Sequence, residues 1–314
     1  MLTRLIKKNE CILINYGYRN IFIANEAKLK LKNNQLIVFN GEELSFPIED
    51  IRSIVVDNPY TSLTGKLIAK LADDGVCLII CNDKHIPSCE LLPIGSYCRM
   101  NKRINLQFSQ SKPRLKKIWQ KIVQAKINNQ AKCLELNEID EAQTLYSISK
   151  NVASGDTTNR EGYAARLYFK LLFGDDFKRD DENSINAALN YGYAILRSFI
   201  AKTIVAYGLE PSLGIHHKSQ LNQFNLADDI IEPYRPIIDN FVYQNYVEWG
   251  EEFFTPQKAE LQLLLNCATE IDSNRHSVAN AIELTVQSII FSFENEEIAL
   301  KLPNLIDISY FNYD

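Results

Sequence analysis

Over its first ninety residues the chain alternates short apolar and polar runs, each closed by Asn, Asp, Gly or Pro. Glu10–Ile14, Asn20–Ala24, Lys28–Lys32, Gln35–Phe39, Glu43–Pro47, Ile51–Val56 and Val76–Cys81 have the length and the β-branched or aromatic content of strands. Asn33-Asn34 and Asn40-Gly41 fall between such runs as hairpin turns. Between Ser62 and Ala72 the period lengthens: Leu63, Leu67, Ile68 and Leu71 recur at helical spacing before Asp73-Asp74-Gly75. The pattern predicts a small β-rich domain over residues 1–92 containing one helix.

Pro93-Ile94-Gly95-Ser96 opens a linker over 93–104, and from about Asn105 the spacing is helical. Leu115, Ile118, Trp119, Ile122 and Val123 share one face, as do Ala187, Leu189, Ala194, Ile195, Phe199 and Ile200. Further helices are predicted at Asn159–Phe173, stopped by Gly174, at Leu261–Cys267 and at Val278–Ile290, whereas Leu302–Asp314 carries no clear pattern. The fold class is α+β: the β-rich domain followed by a larger all-α domain over 105–314.

The 314 residues suffice for two domains with cores of their own, and 46% hydrophobic with 23% charged residues is an ordinary globular composition. The longest apolar run, Val76–Cys81, is far too short to span a membrane, and Met1–Cys11 lacks a signal-peptide core, so a cytosolic, membrane-free protein is expected. Seven cysteines (Cys11, Cys77, Cys81, Cys89, Cys98, Cys133, Cys267) are odd in number and none has C-x-x-C spacing, so they read as reduced thiols.

Charge changes the picture more. The net charge of −5 hides a segregation: Leu91–Leu134 holds ten basic residues and no acidic one, whereas Glu135–Asp314 holds 13 basic against 28 acidic. Arg99, Lys102, Arg103, Lys112, Arg114, Lys116, Lys117 and Lys121 are the candidate phosphate contacts of this segment, with Lys126 and Lys132 beyond them. Trp119 and several Gln and Asn side chains are interleaved with these charges. The alternative is a basic helix face docked on the acidic half of the chain; nucleic acid is the favoured partner.

Three separated segments carry side chains suited to a divalent cation: Glu161, His217 and Glu232. Each also has a structural reading. Thr158-x-x-Glu161 fits a helix capping box. The doublet His216-His217 can be structural, and Asp228, Asp229 and Glu232 can form an acidic turn balanced by Arg235.

Four pieces keep their order along the chain: Glu161-Gly162 with Ala165-Arg166 and Tyr168; Asn183, Asn186, Leu189, Asn190, Tyr191, Gly192 and Tyr193; Gly208-Leu209-x-Pro211-x-Leu213-Gly214-Ile215-His216-His217; and Phe224-Asn225-Leu226-x-Asp228-Asp229-x-x-Glu232-Pro233-x-Arg235-Pro236. In order and spacing they resemble the CRISPR-associated adaptation integrase family, the first of the two universal spacer-acquisition proteins. The His-His doublet and the Asn225–Pro236 run look most like members from type II systems, which have a single large effector nuclease.

The resemblance implies a β-rich dimerisation domain and a helical catalytic domain that binds Mg²⁺ or Mn²⁺ through Glu161, His217 and Glu232. Asp229 matches a further acidic position of the family, which leaves open whether Asp229 or Glu232 binds directly. The implied reaction joins the 3′-hydroxyl ends of a short DNA duplex to the repeat by transesterification, in antiviral spacer acquisition. The implied partners are double-stranded DNA, a second copy of the chain, a small second adaptation protein that completes a heterohexamer, the effector nuclease and an accessory adaptation protein. Two rivals remain: a structure-specific nuclease for branched DNA, and a non-catalytic DNA-end scaffold.

Overall fold

The computed structural model describes residues 17–94, 100–250 and 252–311, so the expected strand Glu10–Ile14 and Arg99, Cys11 and Cys98 lie outside it. Two compact units are present, one from described residues of Met1–Ile104 with Ala201–Glu210, the other from Asn105–Ile200 and Pro211–Asp314.

In the first unit, β1 (Arg19–Ile23), β2 (Lys28–Lys32), β3 (Gln35–Phe39), β4 (Glu43–Pro47), β5 (Ile51–Val56), β6 (Ser62–Leu63), α1 (Gly65–Asp73), β7 (Cys77–Cys81) and β8 (Pro87–Glu90) follow one another. They make two four-stranded sheets, ordered β4-β3-β2-β6 and β1-β5-β7-β8. Asn33 and Asn34 both take positive φ, 50° and 60°, as a two-residue hairpin between β2 and β3 requires. β5 pairs in parallel with β1 and β7 and is buried along its whole length, so its polar residues are hydrogen-bonded, Arg52 Nε donating to Gly17 O at 2.6 Å and Ser53 Oγ to Asn20 Oδ1 at 2.6 Å. Leu29, Leu36, Ile48, Ile54, Leu67, Leu71 and Leu78 draw strands of both sheets and α1 onto one core.

Two strands of this unit have no counterpart in the hydrophobic pattern. β8 is polar and is added as an antiparallel edge on β7. β6 takes the start of the segment expected to be helical, because Thr64, whose side chain accepts from Leu67 N at 3.4 Å, sets the helix start at Gly65. Residues 100–104, within the expected linker, are the first half of helix α2 (Met100–Phe108).

The second unit continues with α3 (Lys112–Leu136), α4 (Ala142–Lys150), α5 (Arg160–Phe173), α6 (Ser184–Ala206), α7 (Asn225–Ile231), α8 (Arg235–Trp249), α9 (Thr255–Leu263), β9 (Ala268–Ile271), β10 (Asn274–Ser277) and α10 (Val278–Glu294). α3 is its axis, packed by α4, α5, α8 and the 3₁₀ turn Glu232–Tyr234. A Cβ on Gly192 of α6 would stand 2.6 Å from Ile238 Cγ2, so this glycine sets the close approach of α6 and α8. The helical domain is not wholly helical: the segment expected as helix to Cys267 leaves the helix after Leu263 and enters the β9–β10 hairpin. The unassigned C-terminal residues run extended beside β9, with Ala268 N donating to Ser309 O at 2.7 Å and Asn304 N to Glu270 O at 2.7 Å. Among the described residues Cys77, Cys81, Cys133 and Cys267 are buried free thiols, Cys89 is an exposed one, and no helix is long and apolar enough to cross a membrane.

Candidate metal centre

Glu161 begins α5, but the helix start does not use it as a cap. The N-cap is Asn159, which accepts from Gly162 N at 3.3 Å, and the Asp156 carboxylate takes Arg160 N at 2.8 Å and Glu161 N at 2.9 Å. With the orphan N–H groups satisfied by Asn159 and Asp156, the Glu161 side chain is released from the expected capping box. It turns to α3, where Lys126 Nζ donates to its Oε1 at 2.6 Å.

Glu232 converges on the same ammonium. Its Oε2 forms an ion pair with Lys126, and Oε1 accepts from Arg235 Nε at 3.0 Å. Lys126 and Glu232 are 7% and 4% exposed, so the two ions are desolvated and depend on each other. Burial alone would push the Glu232 carboxyl up, but Arg235 and Lys126 hold it down at about 2. Burial likewise acts to lower Lys126, and the charges of Glu232 and Glu161 overcome it and raise the ammonium above its ordinary value. The ion pair between Oε2 and Lys126 is electrostatic, since this buried oxygen has no hydrogen-bond partner of proper geometry.

The turn bearing Glu232 is fixed from behind. Buried Asn129, one turn beyond Lys126, donates to Pro233 O at 2.7 Å and Pro303 O at 2.8 Å and accepts from Leu305 N at 3.0 Å. One amide thus ties α3, the Glu232 turn and the C-terminal segment together.

His217 comes from a loop wrapped on α7 by two residues four apart. Asn225 donates to Ser212 O, Ser219 O and Asn222 O at 3.0, 2.8 and 3.1 Å. Asp229, wholly buried, accepts from the backbone N–H groups of Ile215, His216 and His217 at 2.5, 3.0 and 3.2 Å, and from His217 Nδ1 at 2.7 Å. That hydrogen bond raises the His217 pKa despite half-burial, with the charges of Asp229, Glu232 and Asp228 adding to it. Because Nδ1 gives its proton to Asp229, the ring presents Nε2 as the acceptor. The loop admits no side chain at Gly214, where a Cβ would lie 2.2 Å from His217 O and 2.9 Å from Asp229 Oδ2. His216 is exposed and stacks on buried Trp119 at 4.3 Å with the planes 3° apart, while His217 meets the same indole edge-on at 5.7 Å.

The acidic turn is therefore three separate functions. Asp228 accepts from Asn222 Nδ2 at 2.6 Å and faces Arg197 at 4.0 Å, Asp229 organises the loop, and Glu232 faces Lys126. Arg235 does neutralise Glu232, as the structural reading requires, yet it takes only one of the two carboxylate oxygens. Behind Arg235, whose guanidinium lies 4.5 Å over the Tyr193 ring, Tyr193 OH bonds to buried Asp239, and burial raises that carboxyl to about 6.

Among the described residues no three His, Cys, Asp or Glu side chains stand close enough together to hold a metal as placed. The donor set nevertheless fits a hard divalent cation. Two carboxylates already converge on one cation, the Lys126 ammonium, and a buried Glu232 oxygen lacks a hydrogen bond. An open cleft of about 530 Å³ adjoins His217, lined by Gln107, Phe108, Lys112, Lys218, Gln220 and Asn222 among others.

The basic segment divides. Lys102, Lys112, Lys116, Lys117 and Lys121 are exposed, whereas Arg103 is buried. Arg114 donates to the backbone carbonyls that end α10, including Ser292 O from Nε at 2.7 Å, so its guanidinium clamps that helix end. Lys126 belongs to the acidic pair, and buried Trp119 props the histidines instead of offering a stacking face. Lys126 was legible as an inward residue: it falls on the buried stripe Trp119, Ile122, Val123, Lys126, Ile127 and Gln130 at helical spacing.

A chain from Neisseria meningitidis serogroup C (strain 8013) named CRISPR-associated endonuclease Cas1 is 40% identical over 303 residues, covering 95% of this chain and 99% of that one. A casposase bound to integration product superposes with a TM-score of 0.71 at 20% identity, covering 90% of this chain and 92% of that one. A chain of a Cas6-RT-Cas1–Cas2 complex gives 0.69 at 16% identity, with 91% of this chain and 36% of that one covered. The family model described as CRISPR associated protein Cas1 matches residues 21–270, which takes in Glu161, His217 and Glu232, and with it the chain belongs to that family.

Proposed function

We propose that this chain is the metal-dependent integrase of CRISPR spacer acquisition, using Glu161, His217 and Glu232 to hold Mg²⁺ or Mn²⁺. The observation that carries this reading is the convergence of Glu161 and Glu232 on a single cation, with the Asp229-oriented ring of His217 within reach of the Glu232 charge. Asp229 is spent on three backbone N–H groups and the imidazole, which favours Glu232 as the direct ligand and leaves Asp229 behind the histidine. The ion, when bound, polarises a phosphoryl oxygen and promotes ionisation of the attacking hydroxyl.

This chain's own residues do the rest. Asp229 fixes the His217 tautomer, Arg235 holds one oxygen of Glu232, and Asn129 keeps the Glu232 turn against α3. Exposed Lys112, Lys116, Lys117 and Lys121 form no ion pair among the described residues, which favours phosphate contact over docking within the chain. The open cleft at His217 gives a DNA end a route to the site. The relative's name, CRISPR-associated endonuclease, and the casposase title, bound to integration product, support breaking and joining of DNA. The Cas1–Cas2 title supports the small second adaptation protein as partner. The proposal extends to a heterohexamer built on homodimers of this chain, in a type II system with its effector nuclease.

Incubating a short duplex and a supercoiled repeat plasmid with Mn²⁺, with and without the second adaptation protein, tests the reading. Joined product lost on chelation is the expected result. Hydrolysis without joining would make the chain a nuclease, and no metal-dependent product would leave a DNA-end scaffold.

A further inference from the structure

Two half-buried to buried carboxylates face each other across a lysine of the basic segment. Ionised carboxylates withdrawn from water need a counter-charge, and Arg235 supplies it to Glu232 Oε1 only. The remaining oxygen of Glu232 and Oε1 of Glu161 are left to the Lys126 ammonium. These are the oxygens that a divalent ion must take in the metal reading, on which this inference rests.

We infer that Lys126 is a built-in stand-in for the metal: its ammonium bridges Glu161 and Glu232 in the metal-free protein and is displaced when a divalent ion binds. Lysine suits this because its charge rides on a flexible four-carbon stem, so the ammonium can leave by side-chain rotation while α3 stays in place. A guanidinium would grip the carboxylates in a planar fork and resist exchange. Lys126 and Arg235 balance Glu161 and Glu232, so a divalent ion added to the set leaves an excess of two positive charges. The displaced ammonium has three N–H donors and has lost its anions. A DNA phosphate beside the metal satisfies both needs, so Lys126 makes metal binding and phosphate binding reinforce each other, and by linkage the reinforcement is reciprocal.

The experiment is a Mn²⁺ titration of the full chain followed by the paramagnetic signal of the free ion, with and without a short DNA duplex, together with melting curves in chelator. The proteins are wild type, Lys126→Met, Lys126→Arg and Glu161→Gln. Without DNA, Lys126→Met binds Mn²⁺ about tenfold more tightly than wild type, an order of magnitude set by removing a competing charge. It also melts lower in chelator, and duplex DNA tightens its Mn²⁺ binding less than it does for wild type. Should Lys126→Met not fold without metal, Lys126→Arg decides, with weaker Mn²⁺ binding than wild type supporting the inference and equal binding overturning it. Unchanged or weaker Mn²⁺ affinity in a folded Lys126→Met, with binding still lost in Glu161→Gln, overturns the lysine's role and leaves the metal site standing. Mn²⁺ binding that Glu161→Gln does not affect overturns the metal site itself.

Discussion

Asp229 grips His217 at two points, accepting the ring Nδ1–H at 2.7 Å and the backbone N–H at 3.2 Å. The same carboxylate takes the N–H groups of Ile215 and His216, so one buried side chain both shapes the loop and aims the imidazole. Asp229→Asn puts an amide NH₂ where an acceptor is needed. Mn²⁺ affinity is expected to fall about 10–100-fold, the loss typical of a group that orients a metal-binding histidine. The melting temperature is expected to fall with it. Calorimetric titration and a thermal melt of the same sample check this; full Mn²⁺ affinity in a folded Asp229→Asn would show that the ring needs no such support.

Asp239 gives the fold a pH dependence of its own. Burial raises its carboxyl to about 6, against about 3.9 in an unfolded chain. A group whose folded pKa is raised contributes its stability below the unfolded value and loses it as pH rises through the folded one. Between about pH 4 and pH 6 the protein therefore sheds up to about 3 kcal/mol from this residue. Asp239→Asn still accepts from Tyr193 OH and should flatten the melting temperature over that window. A variant that keeps the wild-type slope would place the pH dependence elsewhere.

The basic residues of α3 differ in what they do, and salt titrations should separate them. Replacing Lys116, Lys117 and Lys121 by Gln is expected to weaken DNA binding and to reduce the salt slope by about 1 for each lost phosphate contact. Arg114→Ala should instead lower the melting temperature, since its guanidinium holds the carbonyls at the end of α10. Fluorescence anisotropy against salt concentration gives the first and a thermal melt the second. An unchanged slope in the triple variant would remove the lysines from the DNA path.

Much of the fold was legible because local pattern and tertiary role agree. β2, β3, β4 and β5 lie where alternation and turn residues put them, with Asn33-Asn34 supplying the positive φ of the hairpin. β8 was not legible, because a polar edge strand is defined by the neighbour it pairs with and not by its own residues. Glu161, His217 and Glu232 could be singled out as ligand chemistry, but the choice between Asp229 and Glu232 could not be read from adjacency on a helix. It depends on where the loop bearing His217 folds back, and Gly214 allows that return. Charge counted along the sequence does not separate Lys126 from the exposed lysines of α3, whereas its place on the buried helical stripe does.

Glu161, His217 and Glu232 are expected to meet at one divalent ion, and anomalous diffraction from crystals soaked in Mn²⁺ measures that directly. The expected map has a single strong peak bonded to carboxylate oxygens of Glu161 and Glu232 and to Nε2 of His217. In it Asp229 keeps its hold on Nδ1, and the Lys126 ammonium has moved off the carboxylates. A peak bonded to Asp229 in place of Glu232, or no peak with Lys126 still bridging the two glutamates at saturating Mn²⁺, would contradict it.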